Sequence, residues 1–284
     1  DELHAMRGDV PGPDGFAETN AADVSARIFG ISGTAPGLEG FPGYSHASLL
    51  QFAADVMSTA RLVREGALAA AVGVASPGGA VAFDGERVGF IGNSLGSVVG
   101  MSALAAEPTL RAGVQNVPPG SIVETLVESP EFRPLVEVLF LPRLGLDPAV
   151  YDEVRRRLIL DPIVDLTRWV LEPVDPLALA PYLVRDRAVP GDAPEVLFQV
   201  AALDEVAAPL PTESMLGASG VERITRYDPA AHGMLEVVDQ SSRYEPPATP
   251  PYRPRPMPIP VVNPIGAVHD DIQAFLAGSL VGDR

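Results

Sequence analysis

The sequence contains no cysteine and no lysine, and both absences narrow what the protein can be. Without cysteine there can be no disulfide framework, thiolate zinc site, iron–sulfur cluster or cysteine nucleophile. All 20 basic residues are arginine, and the 37 acidic residues leave a formal net charge of −17. A surface this negative repels phosphate backbones and anionic lipid headgroups. We therefore expect no nucleic-acid partner and no docking on acidic membranes.

Long apolar runs and cofactor motifs are also missing. The longest weakly polar stretch, residues 67–83, is interrupted by Pro77 and three glycines, so we expect no transmembrane segment. Metal-binding spacings, phosphate loops and dinucleotide fingerprints do not occur, and the expectation is a protein without metal or cofactor. With 46% hydrophobic residues, a chain of 284 residues can bury the core of a full domain.

Short strand-like runs alternate with helical patterns along the chain. Strands are predicted over residues 87–91, 112–117, 195–201 and 222–227. Helices are predicted over residues 45–65, 97–106, 211–219 and 267–280. This alternation is typical of an α/β fold with a doubly wound, mostly parallel sheet that is covered by helices on both faces.

Three regions follow from these patterns. Residues 1–120 and 191–284 supply the α/β core, and residues 121–190 form a helical cap inserted into it. Within the last region, residues 244–264 are so rich in proline that they predict an extended surface strap rather than a helix or a central strand.

The motif Gly92-Asn-Ser94-Leu-Gly96 carries the chemistry. A strand-like run precedes it and a helical pattern follows, which is the setting of a nucleophile elbow. The two glycines are expected because a Cβ at either position would keep strand and helix apart. The strained turn would expose the Ser94 hydroxyl, and the N–H of Leu95 would face an oxyanion formed beside it.

A serine nucleophile needs a base, and the sequence offers four histidines. His4 and His46 precede the serine, whereas enzymes with a nucleophile elbow have the chain order serine, acid, histidine. His269 lies in the last amphipathic helix, where a solvated face is the simpler interpretation. His232 follows the run at 222–227 and precedes Gly233, so it is the predicted base.

The orienting acid is expected in the turn after the preceding strand. Asp204 stands there, directly after the run at 195–201, with Glu205 beside it as a rival. Asp175 and Asp165 are weaker candidates because no strand precedes them in the helical block.

Through Gly92 to Gly96, Asp204 and His232, the sequence resembles the α/β-hydrolase superfamily. It is similar within that superfamily to bacterial extracellular lipases of the virulence-factor type. That closer likeness rests on residues 1–7, on the helix with Gln51 and Asp55, and on residues 129–132. Ala5 stands where that group prefers glycine, and Asn93 replaces its usual histidine. The resemblance implies a secreted or cell-envelope protein.

The resemblance also implies that part of the sheet lies outside these residues. The start of the chain resembles material just after the fourth strand, whereas the second oxyanion donor of the superfamily follows the third. An N-terminal fragment of the same precursor is therefore expected to complete the sheet, because an uncovered apolar edge would aggregate. The alternative is that Gly33, Gly37 or Gly40 supplies the second N–H.

These residues predict a serine esterase or lipase. Ser94 would form the acyl-enzyme, with His232 as the base and Asp204 as the orienting acid. An apolar cap would bind a hydrophobic acyl-ester substrate, and Asn93, Phe140 and Trp169 are the candidate substrate contacts. The alternatives are a catalytically inactive binding or structural module of the same fold, or a hydrolase of amide or thioester bonds.

Overall fold

The computed structural model describes residues 43–70, 82–129, 132, 162, 164–202, 204, 206–227, 235–239, 261–264 and 266–281. The chain divides into two compact units, residues 1–48 with 235–264, and residues 49–234 with 265–284. No helix in these described ranges is long and apolar enough to cross a membrane.

The second unit is built on a four-stranded parallel sheet. Its strands, β1 (Val88–Asn93), β2 (Leu110–Asn116), β3 (Glu195–Ala201) and β4 (Ile224–Tyr227), lie side by side in chain order. Asn93 pairs with Asn116, and Ala201 pairs with Tyr227. Because all four strands run the same way, their last residues meet at one edge of the sheet, which we call the carboxyl edge.

The helices are α1 (Gly43–Arg64), α2 (Leu95–Ala106), α3 (Ile122–Glu128), α4 (Pro176–Leu179), α5 (Pro209–Ser219) and α6 (Gly266–Val281). Residues 164–171 are helical as well, and 3₁₀ turns cover Glu172–Val174 and Ala180–Tyr182. Every predicted strand and helix of the core is confirmed, with ends that move by a few residues.

Helices cover both faces of the sheet. On one face, buried residues of β3 pack against α2 and α5, in a cluster that includes Phe198, Val200, Met101, Leu104 and Met215. On the other face, buried residues of β2 and β3 pack against α6, in a cluster of Ala112, Val114, Leu197, Val268, Ile272 and Phe275. Leu197 and Phe198 are neighbours in β3 and belong to opposite clusters, because successive side chains of a strand point to opposite faces of the sheet. The predicted α/β architecture, a parallel sheet with helices on both faces, is therefore confirmed.

The first unit contains a hairpin that the sequence did not predict. Strand β5 (Leu235–Asp239) pairs antiparallel with β6 (Val261–Pro264). The end of the predicted strap at residues 244–264 therefore forms an edge strand, which the prediction, made against a helix and a central strand, did not include. A two-stranded sheet consists of edge strands only, and an edge strand tolerates proline because one side of its backbone makes no ladder bonds.

Within the predicted helical block, residues 122–128, 162, 164–174 and 176–182 are helical, whereas residues 183–186 form turns and residues 188–190 form bends. Leu171, Ala180 and Leu183 are fully buried, and the last two belong to the same core cluster as α2 and β3. The end of the block thus packs into the body of the second unit. Trp169, by contrast, is 71% exposed. Phe140 lies outside the described residues, so the cap stays a prediction.

Candidate active site at the carboxyl edge

Ser94 is the single residue between the end of β1 and the start of α2. Its backbone has φ 51° and ψ −114°, a conformation that residues with a side chain rarely adopt. The Ser94 N–H donates to the carbonyl of Asn116 at 2.9 Å, and the Ser94 carbonyl accepts from the N–H of Ser97 at 2.8 Å. Neighbouring backbone therefore holds the strained turn from both sides.

Gly92 permits this turn. A Cβ at Gly92 would lie 2.5 Å from the carbonyl oxygen of Gly96, which no real structure tolerates, so its predicted role is confirmed. A Cβ at Gly96 would meet no described atom within 4 Å. The expectation that both glycines are needed for close approach is thus wrong for Gly96, because the strand contacts its backbone and not the side where a Cβ would point.

The start of α2 suits an anion. The first N–H groups of a helix have no partner within it, and they carry the positive end of the helix dipole. The first turn of α2 contains no acidic residue, and the Ser94 side chain makes no capping hydrogen bond to it. Leu95, whose N–H is the predicted oxyanion donor, is 39% exposed. Asn93, the last residue of β1, is exposed too.

A second strained residue lies at the end of the neighbouring strand. Val117 directly follows β2 and has φ 42°, which is a true outlier for a β-branched residue. It is buried, and its N–H donates to the carbonyl of Gln199 at 2.8 Å. The chain therefore turns sharply where Asn116 meets the serine turn.

Asp204 follows the end of β3, as predicted. Its side chain is buried, and Oδ1 accepts the N–H groups of Val206 at 2.8 Å and Ala207 at 2.9 Å. These backbone bonds fix the carboxylate in the loop between β3 and α5. Its rival Glu205 lies outside the described residues.

The two weaker acid candidates have structural partners. Asp175 uses both oxygens, accepting from Leu177 N–H at 3.0 Å and from Ile122 N–H at 2.9 Å, so it caps α4 and α3 together. Burial raises the pKa of Asp175. Asp165 is exposed and pairs with Arg168 on the same helical stretch. Neither lies at the end of a strand.

The predicted base, His232, lies outside the described residues. What the structure gives is the strand before it, since β4 ends at Tyr227. His269 lies half-buried on α6. Ser94 and Asp204 thus follow the carboxyl ends of β1 and β3, with the end of β2 between them.

A chain of buried amides crosses this edge, and sequence reasoning missed it. Asn116 Nδ2 donates to Gln199 Oε1 at 3.0 Å and to the Tyr227 hydroxyl at 3.1 Å. Gln199 Nε2 donates to Asp271 Oδ2 and to the Val268 carbonyl, both at 3.0 Å. The signal available in the sequence was a side-chain amide at Asn116, the last residue of β2, and another at Gln199 in the middle of β3. Asp271, two residues after His269 on α6, belongs to this chain of hydrogen bonds.

Ser97 is a further residue that the sequence analysis missed. It is fully buried in the first turn of α2, and its hydroxyl donates to the carbonyl of Gly92 at 2.9 Å and to that of Asn116 at 3.0 Å. The hydroxyl therefore ties α2 to the ends of β1 and β2. No cluster of acidic and histidine residues suited to a metal occurs in the part of the chain that the structure describes.

Several solved structures are similar to this chain. Acetyl xylan esterase 1 from Thermoanaerobacterium sp. JW/SL YS485 matches with a TM-score of 0.40 and 17% identity, over 73% of this chain and 49% of the esterase. Two structures of Pyrococcus horikoshii acylaminoacyl peptidase match with a TM-score of 0.33 and 17% and 19% identity, over 53% of this chain and 20% of the peptidase. The chain thus spans about half of the esterase and a fifth of the peptidase.

No family model matches the sequence, and no curated protein matches it. Structural similarity as weak as that to the esterase and the peptidase says nothing about chemistry.

Proposed function

We propose that the protein is a serine hydrolase that cleaves carboxylic esters through an acyl-enzyme on Ser94. The observation that carries this proposal is the backbone of Ser94, with φ 51° between a strand and a helix and a Gly92 that has no room for a Cβ. Such strain persists where surrounding structure fixes it, and it concentrates at functional sites. A hydroxyl at this turn lies beside the N–H groups that begin α2.

The reaction would run in two displacements. Ser94 Oγ attacks the acyl carbonyl carbon while its proton passes to the base, which we assign to His232. The oxyanion is stabilised by the Leu95 N–H and the helix dipole. The alcohol leaves with the proton from the base, and a water molecule then releases the acid from Ser94 by the same route. Asp204 orients the base.

The position of Asp204 supports its part in this assignment. It follows β3, two strands away from the serine strand, and two backbone N–H groups hold one of its oxygens. His232 follows β4, the next strand along the edge, in the order serine, acid, histidine. Three groups that follow parallel strands at one edge can converge on one substrate.

Exposed apolar residues favour an apolar substrate. Leu95 begins α2, and Leu210, which is 76% exposed, lies in the first turn of α5 after Asp204. Both follow strand ends at the carboxyl edge. We assign Asn93, Phe140 and Trp169 to substrate contacts, and residues 121–190 to a helical cap over a hydrophobic acyl chain.

We further assign the side of β1 that pairs with no strand among the described residues to an N-terminal fragment of the same precursor, in a secreted or cell-envelope protein. In support, Ile91 of β1 is 44% exposed, whereas six of the seven residues of β3 are buried. An added strand or helix there would remove this apolar surface from water.

Ester hydrolysis tests the proposal. The purified protein is assayed with p-nitrophenyl acetate and p-nitrophenyl laurate beside Ser94→Ala and a matched control, Ser102→Ala, which removes another serine of α2. We expect turnover in the wild type and the control, none in Ser94→Ala, and a preference for the longer ester.

Other outcomes contradict the proposal in different ways. Turnover that survives Ser94→Ala would exclude the acyl-enzyme on this serine. Folded wild-type protein that cleaves neither ester would favour an amide or thioester substrate, if analogous chromogenic substrates are cleaved. Inactivity on every substrate would favour a binding or structural module.

A further inference from the structure

The buried amides at the carboxyl edge connect elements that the proposed reaction needs in register. We use the name amide chain for Asp271, Gln199, Asn116 and Tyr227, which are joined by hydrogen bonds of 3.0–3.1 Å. These residues come from α6, β3, β2 and β4 in that order. The chain therefore spans the sheet from its α6 face to the strand that precedes His232.

The direction of each amide is fixed. Asp271 Oδ2 and the Val268 carbonyl can only accept, so Gln199 presents Nε2 to them and Oε1 to Asn116. Asn116 must then present Nδ2, whose second hydrogen reaches the Tyr227 hydroxyl. Tyr227 accepts this bond through its hydroxyl oxygen. A single orientation at α6 thus determines the arrangement at β4.

Asn116 also holds the turn that contains Ser94. The Asn116 carbonyl accepts from the Ser94 N–H at 2.9 Å and from the Ser97 hydroxyl at 3.0 Å. Asn116 is fully buried, including both its side chain and its carbonyl. A rotation of the Asn116 peptide would therefore shift the Ser94 backbone and the contact with Tyr227 together.

The side-chain amide of Asn116 is only partly satisfied by hydrogen bonds. Its Oδ1 is buried without a hydrogen-bond partner among the described residues, and an unpaired buried acceptor is unfavourable. The two bonds that Nδ2 donates are what an apolar residue of the same shape would lose. They link Gln199 and Tyr227 to the strand end beside Ser94.

From this geometry we propose that Asn116 and Tyr227 are positioning residues for the proposed hydrolase, which set the serine turn of β1 and the end of β4 in register. The inference rests on the proposed function. It goes further by assigning to the buried Asn116 and the half-buried Tyr227 a share in the rate of the chemical step.

Burial raises the pKa of Tyr227, the bond from Asn116 lowers it in part, and the charge of Asp204 adds to the rise. The Tyr227 hydroxyl is therefore protonated at neutral pH and within the electrostatic reach of the orienting acid. This agrees with a role beside the acid and not with a role as an anion.

The test is a double-mutant cycle of Asn116→Leu and Tyr227→Phe, with kcat and KM for the ester and thermal unfolding as readouts. Each single variant should lower kcat by roughly 10- to 100-fold, because small displacements of reacting groups have effects of this size. KM should stay within about twofold, since substrate contacts are unchanged. The double variant should be no slower than Asn116→Leu alone, because both substitutions remove the same hydrogen bond between Asn116 and Tyr227.

Ser279→Ala is the matched control. It removes a partly buried hydrogen bond of 2.7 Å between α6 and Glu195, at the opposite end of β3. The control should keep kcat within about twofold at a comparable loss of thermal stability. If Asn116→Leu does not fold, Tyr227→Phe, which removes one oxygen atom, decides the matter alone.

Single variants with wild-type kcat, or losses that multiply in the double variant, would overturn the inference while leaving the hydrolase intact. So would a control that loses as much kcat as Tyr227→Phe. A wild type without turnover that depends on Ser94 would overturn both the inference and the proposed function.

Discussion

The two ends of the parallel sheet differ in their polar contacts and in their backbone strain. At the amino end, Glu107 precedes β2 and accepts from Arg61 at 2.7 Å and from the Thr109 N–H at 3.0 Å. Glu195 begins β3 and accepts from Ser279. At the carboxyl edge, Ser94 and Val117 are the two non-glycine residues with positive φ in the described structure.

This difference indicates that the amino end of the sheet contributes to stability and that the carboxyl edge carries the chemistry. At the amino end, Glu107 and Glu195 accept hydrogen bonds that connect helices to the sheet, and neither residue has positive φ. The carboxyl edge instead combines strained turns at Ser94 and Val117 with the hydrogen-bonded amides of Asn116 and Gln199. A fold that needed only stability would have no reason to store strain at one end of its sheet.

The largest effect is expected within the glycine motif of the carboxyl edge. Gly92→Ala places a Cβ 2.5 Å from the Gly96 carbonyl oxygen and should destabilise the protein by about 3 kcal/mol. Gly96→Ala meets no described atom and should change stability by less than about 1 kcal/mol. Chemical denaturation measures both. Equal losses would mean that the close approach of strand and helix is not what Gly92 serves.

At the amino end, Glu107→Gln should lower stability by about 1–2 kcal/mol at pH 7 while kcat is unchanged. Burial alone would raise the pKa of Glu107, but its bonds from Thr109 and Arg61 outweigh burial and lower that pKa below 4.5. The stabilisation is thus present above pH 4.5 and is lost as the pH falls through the folded value. Unfolding curves from pH 3 to 7 should converge in acid. A reduced kcat would show that the amino end takes part in catalysis.

Strain at Ser94 predicts a gain in stability. Ser94→Gly should stabilise the protein by about 1 kcal/mol, because glycine adopts positive φ without strain and loses only part of that gain through the unfolded chain. Ser94→Ala keeps the Cβ and serves as the control, which should not gain. Denaturation midpoints compare the two. A glycine variant no more stable than the alanine variant would argue against stored strain.

The smallest effect concerns the alkaline range. The raised pKa of Tyr227 means that the unfolded chain ionises first, so the protein loses stability as the pH rises above 10.0. Tyr227→Phe removes this contribution, and its stability should fall less steeply between pH 9 and 11, by less than about 1.4 kcal/mol per pH unit. Parallel slopes for variant and wild type would show that the hydroxyl ionises normally.

Much of the second unit could be predicted from its sequence. Apolar runs and helical periodicity located β1 to β4 and the helices between them, because local patterns carry that information. The position of Asp204 after β3 followed from the same patterns. The serine turn could be anticipated because glycines, strand and helix are adjacent in the chain.

Features that depend on distant contacts were missed. Asn116 and Gln199 lie 83 residues apart, and nothing local indicates that their amides meet. Ser97 looks like any small helical residue until its hydroxyl is seen to reach two strand ends. Gly96 was assigned a steric role that only three-dimensional geometry can refute. The β5–β6 hairpin was overlooked because proline argues against central strands but not against edge strands.

The most direct test of the central claim is covalent labelling of the purified protein with a fluorophosphonate, followed by peptide mapping. The serine oxygen displaces fluoride from phosphorus, so an activated serine is marked permanently. We predict one phosphonyl group on the peptide that contains Ser94, and no label in Ser94→Ala. Folded protein that takes up no label, or takes it up on another residue, would contradict the claim that the strained turn presents a nucleophile.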